Sequence, residues 1–225
     1  VVVAWFIPNP AITRFHSDTE ANTSKLADVL RNKDLLRMDF GVFTLHAILM
    51  SVFMQVPFIL RADGLDAQHQ WHVYLPVMLI AFALMVPPII IAEKKARMKQ
   101  VFTAAIALAA LAQLALLLLQ HSVWGVAISL VLFFTAFNVL EAAQPSIVSK
   151  IAPLDAKGTA MGVFSSVQFL GAFFGSAMGG LLMQLYGGNA VLIFAVLMLL
   201  LWLAVASGMR PPQPLTTRMY HLPEL

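Results

Sequence analysis

Apolar residues in this chain gather into six runs, at 35–60, 71–92, 101–119, 123–143, 159–185 and 190–208, separated by short polar breaks. No run carries a polar stripe wide enough to face water along its length. Each can cross a bilayer, whose hydrocarbon core needs about 20 apolar residues in a helix rising ~1.5 Å per residue. The pattern predicts six membrane-crossing helices and no strand. Gln120, His121 and Ser122 predict a tight turn after the third run, and Tyr186 to Asn189 predict another after the fifth. Pro76, Pro87 and Pro88 predict a kinked inner end for the second helix.

The flanks read differently. Within 24–34, Leu26, Val29 and Leu30 recur at helical spacing among charges, which predicts a short amphipathic helix on a membrane surface. It belongs to a linker expected over 11–34. Residues 1–7 form an apolar stub stopped by Pro8, Asn9 and Pro10, too short to span. Residues 1–10 are expected to be the tail of a preceding membrane helix. The tail 209–225 is expected on the cytoplasmic side, with room for the start of a further domain. The chain thus reads as part of a larger membrane protein.

Composition supports lipid as the solvent. The chain is 60% hydrophobic and 11% charged, against roughly 45–50% and 25% for a soluble domain. So little polar sequence cannot surround six all-round apolar helices in water. The net charge of +3 and pI of about 9.4 do not signal nucleic acid, because the basic residues fall in separate loops and form no single face. The absence of cysteine removes disulfides and thiolate metal sites. Of the fourteen Lys and Arg, only Arg61 falls on one side of the six-span weave. By the positive-inside rule the rich side is cytoplasmic and holds both ends of the chain.

Candidate chemistry is sparse. His46 lies near the middle of span one, where a charge is costly, so a neutral or paired imidazole is expected. It suits either a proton relay or a structural bond to a neighbouring helix. Met50 follows one turn on and is expected to line the same cavity. Span four carries Thr135, Asn138 and Glu141 three residues apart. Asn138 is expected deeper; Glu141, near the cytoplasmic mouth, is expected to close a salt bridge to a basic loop residue such as Lys95 or Arg97, or to cap a helix, in preference to carrying a proton. Gln168, with Ser165 and Ser166, enters from span five; Gln55 and Gln113 stand in spans one and three. Each glutamine bridges helices or lines a cavity. Asp39, close to the cytoplasmic end, is given no role. Gly171, Gly175 and Gly179 repeat every four residues in span five, followed by Gly180, and Gly158 and Gly162 open the same helix. This predicts a face for close helix packing, either a fixed contact or a sliding surface. No nucleophile–base set, HExxH or P-loop lysine motif occurs, so neither an enzyme nor a metal site is expected.

Three stretches resemble the major facilitator superfamily. They are Phe40 to His46 with Pro57; the charged loop Glu93, Lys94, Lys95, Ala96, Arg97, Met98 and Lys99; and Asn138 to Ala142, Gln144 to Ser146 and Lys157 to Gly162. The chain is similar to the carboxyl-terminal half of such transporters, nearest the YajR-like inner-membrane group. The glycine run also looks like that of drug/proton antiporters, with Ser176 where proline is usual. The resemblance implies helices seven to twelve of a twelve-helix bundle, partnered by an amino-terminal half. It places His46, Asn138, Gln168 and Met50 on the substrate or proton path, and Glu93, Lys94, Arg97 and Glu141 at a cytoplasmic gate. It implies proton-coupled export of a small molecule by alternating access in a bacterial inner membrane, with the proton gradient as energy source and no cofactor. A sensor or scaffold with this fold and no flux is the alternative.

Overall fold

A computed structural model describes residues 23–209. The expected preceding-helix tail, the first half of the linker and the carboxyl-terminal tail beyond residue 209 lie outside the described residues. Six long helices follow one another: α1 Lys33–Ala62, α2 Trp71–Lys94, α3 Met98–Leu119, α4 Val123–Ile151, α5 Lys157–Tyr186 and α6 Gly188–Ser207. All six are long and apolar enough to span a membrane. Helix is the form that satisfies backbone hydrogen bonding within each segment when lipid offers no partner.

A 3₁₀ turn, Thr23–Lys25, and a short surface helix, Leu26–Arg31, precede α1. Val29 of the surface helix is buried, while Leu26 and Leu30 are exposed. Asn32 separates this helix from α1 and caps it: its Oδ1 accepts from the backbone N–H of Asp34 at 3.0 Å and of Leu35 at 3.3 Å.

Helical structure in α2 runs through Pro76, Pro87 and Pro88 to Lys94. One boundary differs from the sequence expectation. Helix α4 runs past the expected end at 143 to Ile151, with Pro145 inside it. A proline removes a single helical hydrogen bond, here the one Glu141's carbonyl would receive. Beyond it Ile147 and Val148 remain buried, and their packing carries the helix on.

In the bundle, α1 packs against α5, α6 and α4, and α4 also packs against α2 and α3. In the most apolar stretch of α1, 61% of residues are buried, against 17% in α2 and in α5. Those two helices therefore present the barest faces of this bundle. Trp202 of α6 is fully buried, edge-on to Phe102 of α3 at 5.9 Å. A Cβ on Gly41 of α1 would come within 2.8 Å of its Nε1.

The most extensive contact joins α1 and α5. Gly171 lies on the backbone of Phe43, Gly175 on that of Ala47, and Gly179 on Ser51, where an added Cβ would come within 2.8 Å of the Ser51 Cα. Both series advance by four residues, so the two helices run parallel with their backbones in contact. Gly162 and Gly180 do not share this contact. An added Cβ would meet nothing within 4 Å at Gly162 and only the Met54 Cε, at 3.5 Å, at Gly180. Each stands nine residues from Gly171. Nine residues at 3.6 per turn is two and a half turns, which puts both on the opposite face of the helix.

Polar ties close both ends. At the end rich in Lys and Arg, Lys25 bonds Asp155 at 2.8 Å, Lys150 bonds Glu93 at 3.1 Å, and Lys99 donates to the Ser207 carbonyl at 3.2 Å. The hydrogen bond from Lys25, and then its charge, hold the Asp155 carboxyl below the usual carboxylate range. At the other end Gln120 donates to Asn189 at 2.8 Å, and Gln70 to the Pro57 carbonyl at 2.9 Å.

Adding one methyl at the α1–α5 contact should therefore be costly. Gly175→Ala is expected to lower the melting temperature of the detergent-solubilised protein, with a loss of about 1–3 kcal/mol, because the Ala47 backbone cannot yield. Gly162→Ala should leave it unchanged or raise it, gaining up to about 1 kcal/mol of helix propensity.

Candidate functional site

His46, Glu141 and Gln168 come from three different helices and meet at one level. At about 1.5 Å per residue, His46 lies ~20 Å into α1 from Lys33, and Gln168 ~17 Å into α5 from Lys157. Glu141 lies ~15 Å before the end of α4 at Ile151. The Gln168 Nε2 is 2.8 Å from the His46 Nε2 and 3.3 Å from the Glu141 Oε1. The His46 Nε2 is 3.7 Å from the Glu141 Oε2. On its other side the ring places Nδ1 3.1 Å from the Val42 carbonyl oxygen. The edge of Phe137 faces the imidazole at 5.8 Å between ring centres.

The hydrogen-bond roles follow from the acceptors. A carbonyl only accepts, so Nδ1 of His46 carries a hydrogen and the neutral ring presents a lone pair at Nε2. An ionised carboxylate also only accepts, so the amide nitrogen of Gln168 faces Glu141. One amide group therefore donates to both neighbours. His46 is nearly closed off, with its side chain 10% exposed, whereas that of Glu141 is 40% exposed. The site opens on the carboxylate side.

Glu141 is the principal correction to the sequence reading. It does not pair with Lys95 or Arg97; its partners are His46 and Gln168. The reason is the length of α4. Eight residues beyond the expected boundary carry the loop about 12 Å farther away, and Glu141 is left at the level of His46. Glu93 instead meets Lys150, with Nζ to Oε distances of 3.1 and 3.3 Å, and Ser146 lies 3.5 Å from the same carboxylate. Lys94 and Arg97 are exposed and form no ion pair among the described residues.

Asn138 stands one turn from Glu141 on α4, with a buried Nδ2 that has no partner among the described residues. Met50 is half-buried one turn beyond His46. Gln113 is wholly buried, and neither of its amide atoms has a partner among the described residues. Gln55 lines a separate cavity of about 310 Å³ at the far end with Asp63, Gln120, His121 and Gly188. An apolar cavity of about 570 Å³, lined by Pro76, Val77, Trp124 and Ile128 among others, lies between α2 and α4. Asp39, given no role from sequence, is buried two turns from His46 on α1.

The family model described as Major Facilitator Superfamily matches residues 1–173 and, in a second overlapping match, 78–219. The inner membrane transport protein YajR of Escherichia coli K12 is 38% identical over 219 residues, covering 97% of this chain and 48% of that protein. An uncharacterized transporter of Buchnera aphidicola from Acyrthosiphon pisum is 29% identical over 176 residues, covering 78% of this chain and 45% of its own length. Another, from the Schizaphis graminum strain, is 30% identical over 172 residues, covering 76% and 44%. The chain thus spans about half the length of these relatives.

The Glu93–Lys150 tie can be checked by charge exchange. Glu93→Lys alone and Lys150→Glu alone should each lower thermal stability, and the double exchange should recover part of the loss. The expected coupling is about 0.2–1 kcal/mol, since the pair is exposed, read as a double-mutant cycle of melting temperatures.

Proposed function

This chain belongs to the Major Facilitator Superfamily, and from that premise we propose that it forms half of a proton-coupled secondary transporter that exports a small molecule. His46 and Glu141 together carry the proton. The observation behind this reading is the juxtaposition of an imidazole and a carboxylate inside apolar helices, 3.7 Å apart on α1 and α4. Ionisable groups are expensive in a membrane and mark pathways for ions or substrates. A histidine changes charge near neutral pH, and a carboxylate beside it stabilises the charged ring. The two can thus accept one proton and share it without leaving an isolated charge in lipid.

Transport proceeds by alternating access around this level. A second six-helix half covers the bare faces of α2 and α5, and substrate binds between the halves, reaching Glu141 from its exposed side. Asn138, with its unpartnered amide, and Met50 line the same path. The Lys- and Arg-rich end faces the cytoplasm by the positive-inside rule. There Glu93 and Lys150, with Lys94 and Arg97 beside them, form the gate. The E. coli relative is an inner membrane transport protein, which supports a bacterial inner membrane for this chain.

The full-length protein in proteoliposomes, with a trapped pH dye, tests the reading against a panel of small organic compounds. Compound-dependent proton movement is expected in the native protein. It should fall at least about tenfold, some 1.4 kcal/mol, in His46→Ala and Glu141→Gln, with membrane insertion unchanged. Proton movement that survives both substitutions would dismiss the pair as carrier. Ligand binding with no flux of any kind would favour a sensor.

A further inference from the structure

Gln168 holds both members of the His46–Glu141 pair with a single amide nitrogen. We propose that Gln168 is a proton-sensitive latch, tying α5 to α1 and α4 while the pair is unprotonated and releasing His46 when its ring gains a proton. The proposal rests on the reading of that pair as the proton carrier and adds the means by which its charge state reaches a third helix.

The argument is one of donors and acceptors. With Nδ1 committed to the Val42 carbonyl, the neutral ring offers only a lone pair at Nε2, and the amide of Gln168 donates to it at 2.8 Å. Protonation puts a hydrogen on Nε2, which then faces the amide hydrogens of Gln168. Two donors cannot bond each other. Turning the amide over would offer its oxygen to the new N–H, but would set that oxygen against the Glu141 carboxylate, now bonded at 3.3 Å. With one amide nitrogen facing both groups, neither the observed orientation of Gln168 nor its flip satisfies both neighbours once the ring is charged. Glu141 is the acceptor left for the new N–H, from 3.7 Å away.

Few other charges bear on this choice. Between Lys157 and Tyr186 at its ends, α5 has no titratable residue, and α6 has none at all. On α4 the other charged group is Lys150, held by Glu93 of α2 at the basic end. On α1, Asp39 lies two turns away, and Lys33, Asp34, Arg37 and Arg61 lie toward the helix ends. Tyr74 of α2 stacks on Phe53, two turns to the other side. Gln168 is also one turn from Gly171, the first residue of the close α1–α5 contact. The latch therefore acts on the helix whose seat on α1 depends on backbone proximity.

Gln168 donates to the deprotonated form of both groups, so ring and amide should report one event. Nitrogen NMR of the full-length protein in lipid nanodiscs, labelled at His and Gln side chains, reads this directly. The signals of interest are those lost in His46→Phe and Gln168→Leu. Across about pH 5 to 9, the Gln168 amide nitrogen is expected to shift in step with the His46 ring, and to stay fixed in His46→Phe. In Gln168→Leu the protonation profile of the ring should differ from that of the native protein. Gln168→Met serves the same comparison if the leucine variant does not fold. A ring that titrates while the Gln168 amide stays still, or whose profile is unmoved by either substitution, overturns the latch and leaves the carrier reading standing. A ring that never titrates removes both.

Discussion

The fold hangs on how closely α5 can approach α1. Lipid tails are as apolar as the side chains they touch, so burial in a membrane gives little drive for one helix to join another. Attraction must come from packing at short range. Gly171, Gly175 and Gly179 supply it by bringing the α5 backbone onto that of α1 at Phe43, Ala47 and Ser51. The same approach sets the functional geometry. A glutamine side chain is short, and Gln168 reaches His46 and Glu141 because its helix lies against α1 with no side chain between them.

Polar groups in this bundle divide by position. Those at the ends, such as Lys25 with Asp155 and Lys150 with Glu93, are largely exposed, and they fix where helices finish more than they stabilise the fold. The group at His46 is different in kind. Its ring is buried, its carboxylate partner is part-exposed, and a third helix contributes the donor between them. In an apolar surrounding each such bond matters more, because the alternative is an unsatisfied group rather than one in water.

Much of the fold was legible in the chain. Six runs at bilayer length became six helices, since in a solvent without hydrogen bonds a continuous apolar run satisfies its own backbone only as a helix. The glycine spacing identified the face that packs, and helical phase then decided which glycines take part. Gly162 was expected there from its four-residue spacing to Gly158, and Gly180 from its place beside Gly179; half a turn of rotation from Gly171 removes both. The end of α4 was placed too early. Its apolar run was read to 143, but Ile147 and Val148 beyond Pro145 stay buried and hold the helix together.

The candidate site was half visible. His46, Asn138 and Gln168 stood out as polar residues in apolar runs, because their cost in lipid demands a reason. The sequence by itself determined that this is a six-helix membrane bundle with a small set of intramembrane polar residues, since hydrophobic length and charge placement act locally and additively along the chain. Only the tertiary structure decided that Glu141 belongs with His46 rather than with the basic loop, and that Gln168 bridges them. Those pairings depend on the depth and rotation of three separate helices, which are set by packing between residues 27 to 122 positions apart in the chain.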